Sequence, residues 1–365
     1  MKITILIYSL ASGGAERVVS VLLKELSQKY EIELVLMRNV IFYDVPNNVK
    51  ITFLENSNPN ENGIIKLLKL PFLGYKYKKI LKNSDISISF MNRPNYINVF
   101  AKLFGSRVKT IISERIAPSE EYKTNSLKDK ISKFLIKFLY PKADLVVPNS
   151  KYMEYELKNI FGVKKTKVIY NPIELKQCNK EKQNEFIFIH IGRMEAQKNH
   201  KLLIKAFKKA QIQAKLWLIG DGYLKDELIK LVKELKIENK VVFLGRQKDV
   251  YQFLKKADCF VFSSDYEGFP NVLLEAMNCK LPIISTDCKS GPREILAPNS
   301  DIRFQTNSIE ITNYGILVKV GSEEYMKKAM KLIYENKELR YNFKSRIENF
   351  SVKKIIAQWE KIINE

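Results

Sequence analysis

Short runs of β-branched and aromatic residues alternate with longer segments of helical periodicity over the first half of the chain. We predict strands for five of these runs: Ile3–Tyr8, Ile32–Leu36, Ile86–Phe90, Val108–Ile112 and Leu145–Val147. Strands that alternate with helices are typical of βαβ units, which build parallel sheets. The pattern therefore predicts an α/β domain over residues 1–172.

The same alternation begins again after a polar stretch without periodicity, which we interpret as a linker over residues 173–185. The strands predicted beyond it are Phe186–Ile191, Leu216–Ile219, Val241–Leu244, Phe260–Phe262, Ile283–Ser285 and Gly315–Val320. A chain of 365 residues has room for two domains, because one hydrophobic core rarely grows beyond roughly 250–300 residues. We predict a second doubly wound α/β domain over residues 186–350.

Two segments near the C-terminus lie outside this alternation. Residues 298–314 are rich in Asn, Ser, Asp and Thr, and we predict a surface loop there. Segment Val352–Ile363 repeats apolar residues at helical spacing, which predicts an amphipathic helix. In two-domain folds of this kind such a helix often returns to the first domain, so we expect residues 351–365 to pack on residues 1–172.

The charge of the chain suggests several classes of partner. The 62 basic and 40 acidic residues give a formal net charge of +22, which suits nucleic acid, an anionic membrane or phosphorylated substrates. Solvated surface lysine accounts for much of the same charge. No helix-turn-helix, aromatic RNP stripe or zinc-ligand spacing accompanies it, so we predict no nucleic-acid partner. No window reaches the ~20 apolar residues that a spanning helix needs, so we expect a cytoplasmic protein whose membrane contact is peripheral.

Residues that commonly bind metals are sparse. The two histidines are His190 and His200, and no Asp-x-Asp occurs. No C-x-x-C pair is formed by the cysteines, which are Cys178, Cys259, Cys279 and Cys288. A zinc cluster is hard to assemble from this set, so we predict no metal ion, no cofactor and reduced cysteines.

One predicted helix combines basic and apolar residues on different faces. Within Lys128–Leu139, Ile131, Phe134 and Phe138 share one side while lysines occupy the other. This pattern fits a helix that faces anionic lipid or a lipid diphosphate. An ordinary helix that packs on the core with a solvated basic face explains it equally well. The stretch Ile64–Lys82 is a second basic and apolar segment.

Ligands of open α/β sheets bind beyond the carboxyl ends of the strands, so the residues just after strands are informative. Gly13 and Gly14, in the segment 12–17, follow the first strand and open a helix predicted at Ala15–Lys29. Paired glycines allow close approach of the backbone, and a helix N-terminus offers free N–H groups to phosphate. A tight turn between strand and helix is an equally good interpretation.

Three strand ends of the second half carry a similar signal. Gly192 and Arg193 follow Ile191, and Lys198 comes five residues later, so two cations can bind a diphosphate from two sides. Gly220 and Gly245 each follow a strand and suit close approach of a nucleobase. Ordinary turn chemistry also explains both glycines.

The strongest signal is the segment Glu267–Glu275, which follows the strand Phe260–Phe262. We predict a loop at 267–269, Pro270 in the first turn of a helix, and Asn271–Met277 as its continuation. Glu275 stands among apolar residues, where a carboxylate is costly unless it accepts hydrogen bonds, and a ribose diol supplies two. Glu267 is placed to reach a sugar hydroxyl, and the helix N-terminus to meet a phosphate.

Glu267–Glu275 resembles the E-x7-E motif of glycosyltransferase family 4, and Gly192, Arg193 and Lys198 resemble its diphosphate-binding residues in order and spacing. The resemblance implies the GT-B fold, which has two Rossmann-like domains and a cleft between them. It implies that Arg193, Lys198 and Glu267 take part in catalysis. It implies donor contacts from Gly14, Gly192, Gly220, Gly245, Val250, Gly268, Phe269, Pro270, Asn271, Val272, Leu273 and Glu275.

Within that family, segments 7–19, 66–73, 92–97 and 139–144 resemble the enzymes of bacterial N-linked glycan assembly. The resemblance implies transfer of N-acetylgalactosamine from a UDP-sugar to a saccharide on polyprenyl diphosphate, on the cytoplasmic face of the inner membrane. We expect retention of configuration without a metal ion. O-antigen or capsule synthesis with another sugar, or nucleotide-sugar epimerisation, stays open as an alternative.

The acceptor side is the least specified part of the sequence. Candidate acceptor contacts are Gly13, Arg17, Arg93, Glu114 and Arg115. Many relatives carry a His near the strand end at Thr110–Ser113, where this chain has Glu114 and Arg115. The acceptor contact of that His is therefore not transferred to this chain.

Overall fold

Each of two units of the chain has its own hydrophobic core. The computed structural model describes residues 1–11, 13–56, 58, 60–124, 126–336 and 341–365. The first unit comprises Met1–Pro172 together with Val352–Glu365, and the second comprises Ile173–Ser351. Both are α/β, which confirms the predicted fold class.

The first unit is built around a six-stranded sheet in the order β3-β2-β1-β4-β5-β6, and all its strand pairs are parallel. Its strands and helices in chain order are β1 (Lys2–Ile7), α1 (Gly14–Leu26), β2 (Glu31–Leu36), β3 (Lys50–Phe53), α2 (Gly63–Leu68), α3 (Leu70–Ile80), β4 (Ile86–Phe90), α4 (Asn92–Leu103), β5 (Lys109–Glu114), α5 (Pro118–Glu121), α6 (Leu127–Leu139), β6 (Leu145–Pro148) and α7 (Lys151–Asn159).

The five strands predicted for this unit are all present, and β3 is an additional one. Strand β3 has four residues, none of them buried, and lies at the edge of the sheet. Its residues do alternate polar with apolar, but four residues are the shortest run that such alternation can identify, which is why the pattern did not predict it.

The second unit contains a seven-stranded sheet in the order β12-β13-β11-β10-β7-β8-β9. Its elements are β7 (Phe186–Ile191), α8 (His200–Ala210), β8 (Ala214–Ile219), α9 (Lys225–Glu234), β9 (Val241–Gly245), α10 (Tyr251–Leu254), β10 (Cys259–Phe262), α11 (Asn271–Asn278), β11 (Ile283–Thr286), α12 (Pro292–Leu296), β12 (Ile309–Thr312), β13 (Gly315–Val318), α13 (Glu323–Glu335) and α14 (Lys344–Glu348).

The prediction of a loop through 298–314 is wrong at its end. Strand β12 occupies Ile309–Thr312 and pairs antiparallel with β13, so that Ile309 lies opposite Val318. The two strands form a hairpin with a short turn at Asn313 and Tyr314. Strand β12 has only four residues, none of them buried, and it follows a polar stretch, so its short alternation of apolar and polar residues was not recognised.

Helix α15 (Val352–Asn364) belongs to the first unit, although the whole second unit precedes it in sequence. Its apolar side is fully buried: Trp359 lies 5.8 Å from Phe90 between ring centroids, and Ile355 and Ile362 join the same core. Lys109 Nζ also donates a hydrogen bond of 2.7 Å to the Ile362 carbonyl. The amphipathic pattern in the sequence thus corresponds to a helix that completes this core.

The expectation of four reduced cysteines is wrong for one pair. Cys178 and Cys279 form a disulfide, with their Cα atoms 5.0 Å apart, while Cys259 and Cys288 are buried free thiols. The bonded residues are separated by 101 positions in sequence. The fold places the segment after Ile173 beside the C-terminus of α11, a proximity that cysteine spacing does not encode.

No helix in the described part of the chain combines the length and hydrophobicity that crossing a membrane requires.

Candidate active site

Lys198 and Glu267, 69 positions apart in sequence, form an ion pair in the second unit. Lys198 ends a short 3-10 turn after β7, and Glu267 lies in the loop after β10. Their side chains are only 16% and 10% exposed, and Lys198 Nζ also lies 5.5 Å above the Phe262 ring. The structure therefore brings together the two segments that the sequence predicted separately as donor-binding.

Further hydrogen bonds connect the turn that carries Lys198 to the loop that carries Glu267. Ser263 Oγ donates to the Lys198 carbonyl at 2.8 Å, and Gln197 Nε2 donates to the Tyr266 carbonyl at 2.7 Å. Asn199 adopts the left-handed conformation (φ 46°), donates from Nδ2 to Asp265 Oδ1 at 2.9 Å, and caps α8 with its other side-chain atom. No sequence signal pointed to Ser263 or Asp265, because their roles exist only once the two loops meet.

Helix α11 presents the rest of the predicted donor segment. It begins at Asn271, so Pro270 is the residue before the helix rather than part of its first turn, with φ −77° and ψ 100°. The Glu275 side chain is 2% exposed within an apolar helix. Gly268 and Phe269 are buried, Leu273 is fully buried, and Asn271 and Val272 are half-buried at the helix start.

A neighbouring turn fixes the loop that precedes α11. Ser290 Oγ donates to the Gly268 carbonyl at 2.6 Å. Ser290 and Gly291 have φ of 66° and 98°, and a Cβ on Gly291 would lie 2.4 Å from Pro270 Cδ. The close approach explains the glycine at 291. This turn supports the site, and no motif in the sequence indicated it.

Three predicted glycines lie side by side at the ends of β7, β8 and β9. Gly192 N donates to the Ile219 carbonyl and Gly220 N to the Gly245 carbonyl, both at 2.9 Å. A Cβ on Gly220 (φ 140°) would lie 1.9 Å from the Gly192 carbonyl oxygen, so the strand ends leave no room for a side chain there. A Cβ on Gly245 (φ 65°) would meet nothing within 4 Å. Packing therefore explains Gly220, while Gly245 borders open space.

Arg193 takes a more exposed position than Lys198. Its side chain is 66% exposed and its Nη1 lies 3.0 Å from Glu195 Oε1. Val250 is half-buried directly before α10. Both residues are on the side of the sheet where the strands β7 and β9 end, but neither contacts Glu267 among the hydrogen bonds and ion pairs of the described residues.

Two buried histidines pack behind Lys198. The rings of His190 and His200 are 4.5 Å apart, and His190 Nδ1 lies 2.9 Å from the Val261 carbonyl oxygen. Burial, with a smaller contribution from the charge of Lys198, lowers the pKa of His190 to about 4, so this ring is neutral at neutral pH. His190 lies in β7 and His200 is the first residue of α8.

In the first unit, helix α1 begins at Gly14, one residue earlier than predicted, and ends at Leu26. Gly13 precedes it, and a Cβ there would meet the Glu16 carboxylate at 2.1 Å. Arg17 lies in the first turn of α1 and is half-buried. Ser12, the first residue of the predicted motif, lies outside the described residues.

Glu114 and Arg115 end β5 in a buried polar cluster. Tyr140 donates its hydroxyl to Glu114 Oε2, and the Arg115 N–H donates to Glu114 Oε1 at 2.8 Å. Burial raises the pKa of Glu114 to about 7, with a further contribution from the negative charge of Glu121. Arg115 Nη1 donates to Asn171 Oδ1 at 2.8 Å, and the guanidinium lies 4.9 Å from the Phe90 ring centre. Arg115 Nε and Nη2 are buried without a hydrogen-bond partner among the described residues.

A cavity of about 300 Å³ opens beside this cluster, lined by Tyr8, Lys66, Met91, Asn92, Arg93, Pro94, Glu114, Arg115, Ile116 and Glu121. Met91 has φ 73° and ψ 161°, a strained conformation for a residue with a side chain, and such strain concentrates at functional sites. Arg93 Nη2 lies 2.9 Å from Glu55 Oε1. Three of the five predicted acceptor residues thus line one cavity: Arg93, Glu114 and Arg115. Tyr8 and Asn92 lie in segments that resemble the family but were not predicted as contacts, and Met91 and Glu121 had no sequence signal.

No group of three or more His, Cys, Asp or Glu side chains in the described ranges is arranged to hold a metal ion.

Each of the two units matches a model of a known protein family. A model described as Glycosyltransferase Family 4 matches residues 12–177, and one described as Glycosyl transferases group 1 matches residues 173–350.

Two similar relatives come from Campylobacter jejuni. The chain is 41% identical to N-acetylgalactosamine-N,N'-diacetylbacillosaminyl-diphospho-undecaprenol 4-alpha-N-acetylgalactosaminyltransferase, over 94% of this chain and 93% of the relative. It is 32% identical to GalNAc-alpha-(1->4)-GalNAc-alpha-(1->3)-diNAcBac-PP-undecaprenol alpha-1,4-N-acetyl-D-galactosaminyltransferase, over 100% of this chain and 99% of the relative.

Solved structures share the fold at lower identity. Sucrose-phosphate synthase from Thermosynechococcus elongatus matches with a TM-score of 0.85 and 16% identity, covering 100% of this chain and 98% of that one. Anabaena HepE in complex with UDP-glucose matches with a TM-score of 0.78 and 21% identity, covering 100% and 99%. The two parallel-sheet units, the family models and the identity to complete relatives together show that the chain belongs to glycosyltransferase family 4 and is a glycosyltransferase of the GT-B fold.

Proposed function

We propose that the chain transfers N-acetylgalactosamine from a UDP-sugar to a saccharide carried on polyprenyl diphosphate, forming an α-glycosidic bond. The observation that carries the donor side is the joining of Lys198 to Glu267 beside the N-terminus of α11. The identity of 41% to an N-acetylgalactosaminyltransferase whose substrate is a diphospho-undecaprenol supports the choice of sugar and acceptor.

The donor pyrophosphate would meet Lys198, Arg193 and the N-terminal N–H groups of α11. Its departure places negative charge on the leaving phosphate, and fixed cations with a helix N-terminus stabilise that charge. Glu275 would accept hydrogen bonds from the ribose hydroxyls, and Glu267 would contact the transferred sugar. These groups can stabilise the leaving phosphate on their own, so we propose transfer without a metal ion.

We propose attack from the face that the leaving group vacates. The bond from C1 of the sugar to the phosphate oxygen breaks, and a bond from C1 to the acceptor oxygen forms on the same face. The acceptor hydroxyl proton passes to the departing phosphate, so UDP leaves and configuration is retained. The cavity beside Glu114 and Arg115 would hold the acceptor sugar, since a carboxyl, a guanidinium and apolar walls suit a hydroxylated ring.

A radiolabelled transfer assay tests this function. Purified protein receives UDP-N-acetylgalactosamine with and without an acceptor saccharide on polyprenyl diphosphate, and the product is digested with an α-specific N-acetylgalactosaminidase. Label on the lipid that this enzyme releases is the expected result. Transfer only from another UDP-sugar would indicate O-antigen or capsule synthesis, and a changed free nucleotide sugar would indicate an epimerase. Loss of activity with EDTA would contradict the metal-free mechanism. The same assay compares two variants: Arg193→Ala should lower the transfer rate, and the control Lys205→Ala on α8 should not.

We also propose that the protein associates with the cytoplasmic face of the inner membrane through α6 and the neighbouring helices. Helix α6 packs on the unit through Ser132, Ile136 and Leu139, and it turns Phe134 and Phe138 outward, 64% and 49% exposed. Both rings stack at 6.0 Å, surrounded by lysines. An exposed apolar stripe with basic flanks favours a helix that binds an anionic lipid surface over a helix that packs only on the core.

Flotation with anionic vesicles tests the membrane proposal. The Phe134→Ser/Phe138→Ser double variant should float less than the parent protein, while a matched pair of exposed residues in the second unit, Tyr223→Ser/Ile311→Ser, should not change flotation. Equal flotation of the parent and the α6 variant would contradict the role of this helix.

A further inference from the structure

A second cavity of the first unit, about 650 Å³ in volume, lies where β4 and β5 begin. Asp85 directly precedes β4 and Val108 directly precedes β5, and both line this cavity. The acceptor-side cavity lies at the other ends of the same strands, near Met91 and Glu114. A five-residue strand is roughly 16 Å long, so the two cavities are distinct.

Four cations surround this second cavity. Lys78, Lys79 and Lys82 come from the end of α3 and the turn after it, and Arg107 comes from the loop before β5. Lysines in the last turn of a helix are favoured by its dipole, which accounts for Lys78 and Lys79. It does not account for Arg107, which belongs to a different segment and faces the same cavity.

These cations lack carboxylate partners within the described residues. Lys78 Nζ donates to the Phe104 carbonyl at 2.7 Å, and Lys79 Nζ lies 4.9 Å from the Tyr75 ring centre. Lys82 and Arg107 are exposed and form no ion pair among the described side chains. The one carboxylate lining the cavity, Asp85, accepts a hydrogen bond of 2.7 Å from the Lys2 backbone N–H. A concave space with this excess of positive charge concentrates anions.

We propose that this cavity binds a phosphate ester through Lys82 and Arg107. A guanidinium offers two parallel N–H donors that match a phosphate, and lysine adds a mobile point charge. The volume exceeds that of a bare phosphate and accepts the group together with what it is esterified to. The site is independent of the transfer reaction, since none of its residues belongs to the donor or acceptor site.

The phosphate can come from a phospholipid headgroup or from a soluble compound, and one pair of variants separates the sources. The test variant is Lys82→Ala/Arg107→Ala. The matched control is Lys164→Ala/Lys167→Ala, which removes two exposed lysines of the same unit that form no ion pair in the described part of the chain. Both variants should keep the transfer rate of the parent protein towards a water-soluble acceptor saccharide.

Binding is measured by cosedimentation with vesicles of phosphatidylglycerol and phosphatidylethanolamine, and by calorimetric titration with inorganic phosphate. A lipid headgroup site predicts vesicle binding roughly 30-fold weaker for the test variant, and within about twofold of the parent for the control. A site for soluble phosphate predicts loss of the calorimetric signal with vesicle binding equal to that of the control. If the two variants behave alike in both measurements, the cavity is not a phosphate site and the proposal is overturned.

Discussion

The ammonium group of Lys198 is paired with the carboxylate of Glu267, and both side chains are nearly removed from water. The cation predicted to bind the donor diphosphate is thus held in place before any ligand arrives. A phosphate entering the site would meet a Lys198 that Glu267 already holds in place, rather than a mobile lysine in solvent. Positioning of this kind lowers the reorganisation that charge development in the transition state requires.

We expect Lys198→Ala to lower kcat by roughly 10²–10³-fold, the effect typical of removing one group that stabilises transition-state charge. The variant also leaves Glu267 as a largely buried, unpaired carboxylate, which destabilises the fold. Steady-state transfer kinetics measure the first effect and denaturant unfolding the second. Lys205→Ala serves as the control, because it removes a half-buried lysine of α8 whose Nζ lies 3.7 Å from Glu323 Oε1.

The Lys198→Ala/Glu267→Ala double variant separates stability from catalysis. It should recover part of the lost unfolding free energy, because no unpaired charge remains, while transfer stays low. Recovery of transfer in the double variant would show that Lys198 acts only by neutralising Glu267.

For Glu275, we expect a loss specific to the ribose. Glu275→Gln should weaken UDP binding about 10-fold or more, because a hydrogen bond to a charged group contributes roughly 1.5–3 kcal/mol. Calorimetric titration of the parent and the variant, each with UDP and with 2′,3′-dideoxy-UDP, tests whether Glu275 binds the ribose hydroxyls. The deoxy ligand should bind the parent and the variant with similar affinity. An equal loss of affinity for both ligands would instead mean that Glu275 stabilises α11 and does not contact the ribose.

Gly220 and Gly245 should respond differently to the same added methyl group. Gly220→Ala forces a Cβ against the Gly192 carbonyl and should destabilise the second unit by roughly 2–5 kcal/mol, from overpacking and backbone strain together. Gly245→Ala has open space and should cost only the strain of its positive φ, about 1–2 kcal/mol. Chemical denaturation of the two variants measures the difference.

Ligand binding by the stable Gly245→Ala variant then tests the role of the open space. If the nucleotide occupies it, the added methyl group should weaken UDP binding. Unchanged UDP affinity would remove Gly245 from the donor contacts.

The sequence predicted the strands with buried faces and the site segments at their ends, because hydrophobic alternation and strand-end chemistry are local signals. It missed β3 and β12, whose outer faces are not buried. It also missed the cavity residues Met91 and Glu121 and the bonded pair Cys178 and Cys279. The roles of these residues depend on which segments become neighbours in the fold. No single segment of the sequence determines that arrangement.

The same limit applies to Arg193 and Lys198. Their spacing predicted two cations on either side of one diphosphate, yet Lys198 is largely buried against Glu267 while Arg193 is mostly exposed beside Glu195. Burial, and with it the strength of an electrostatic contact, follows from the loop after β10 packing on one cation and not on the other.

Glu114 should make stability depend on pH in a direction unusual for a carboxyl group. Its pKa in the folded chain is raised to about 7 from the ordinary 4.5, first by burial and then by Glu121. Between these values the folded chain holds a proton that the unfolded chain has released. The contribution of Glu114 to stability is therefore fully present below the ordinary pKa and is lost as the pH rises through about 7.

We expect Glu114→Gln, which keeps the neutral shape at all pH values, to be more stable than the parent above pH 7, by at most about 3 kcal/mol. The difference should shrink towards pH 5, where the parent carries the proton. Denaturant unfolding at pH 5, 6, 7 and 8 measures the profile, with Glu238→Gln as a control at an exposed carboxylate. Parallel profiles for parent and variant would mean that Glu114 stays ionised in the fold and that Tyr140 and the Arg115 N–H satisfy its charge.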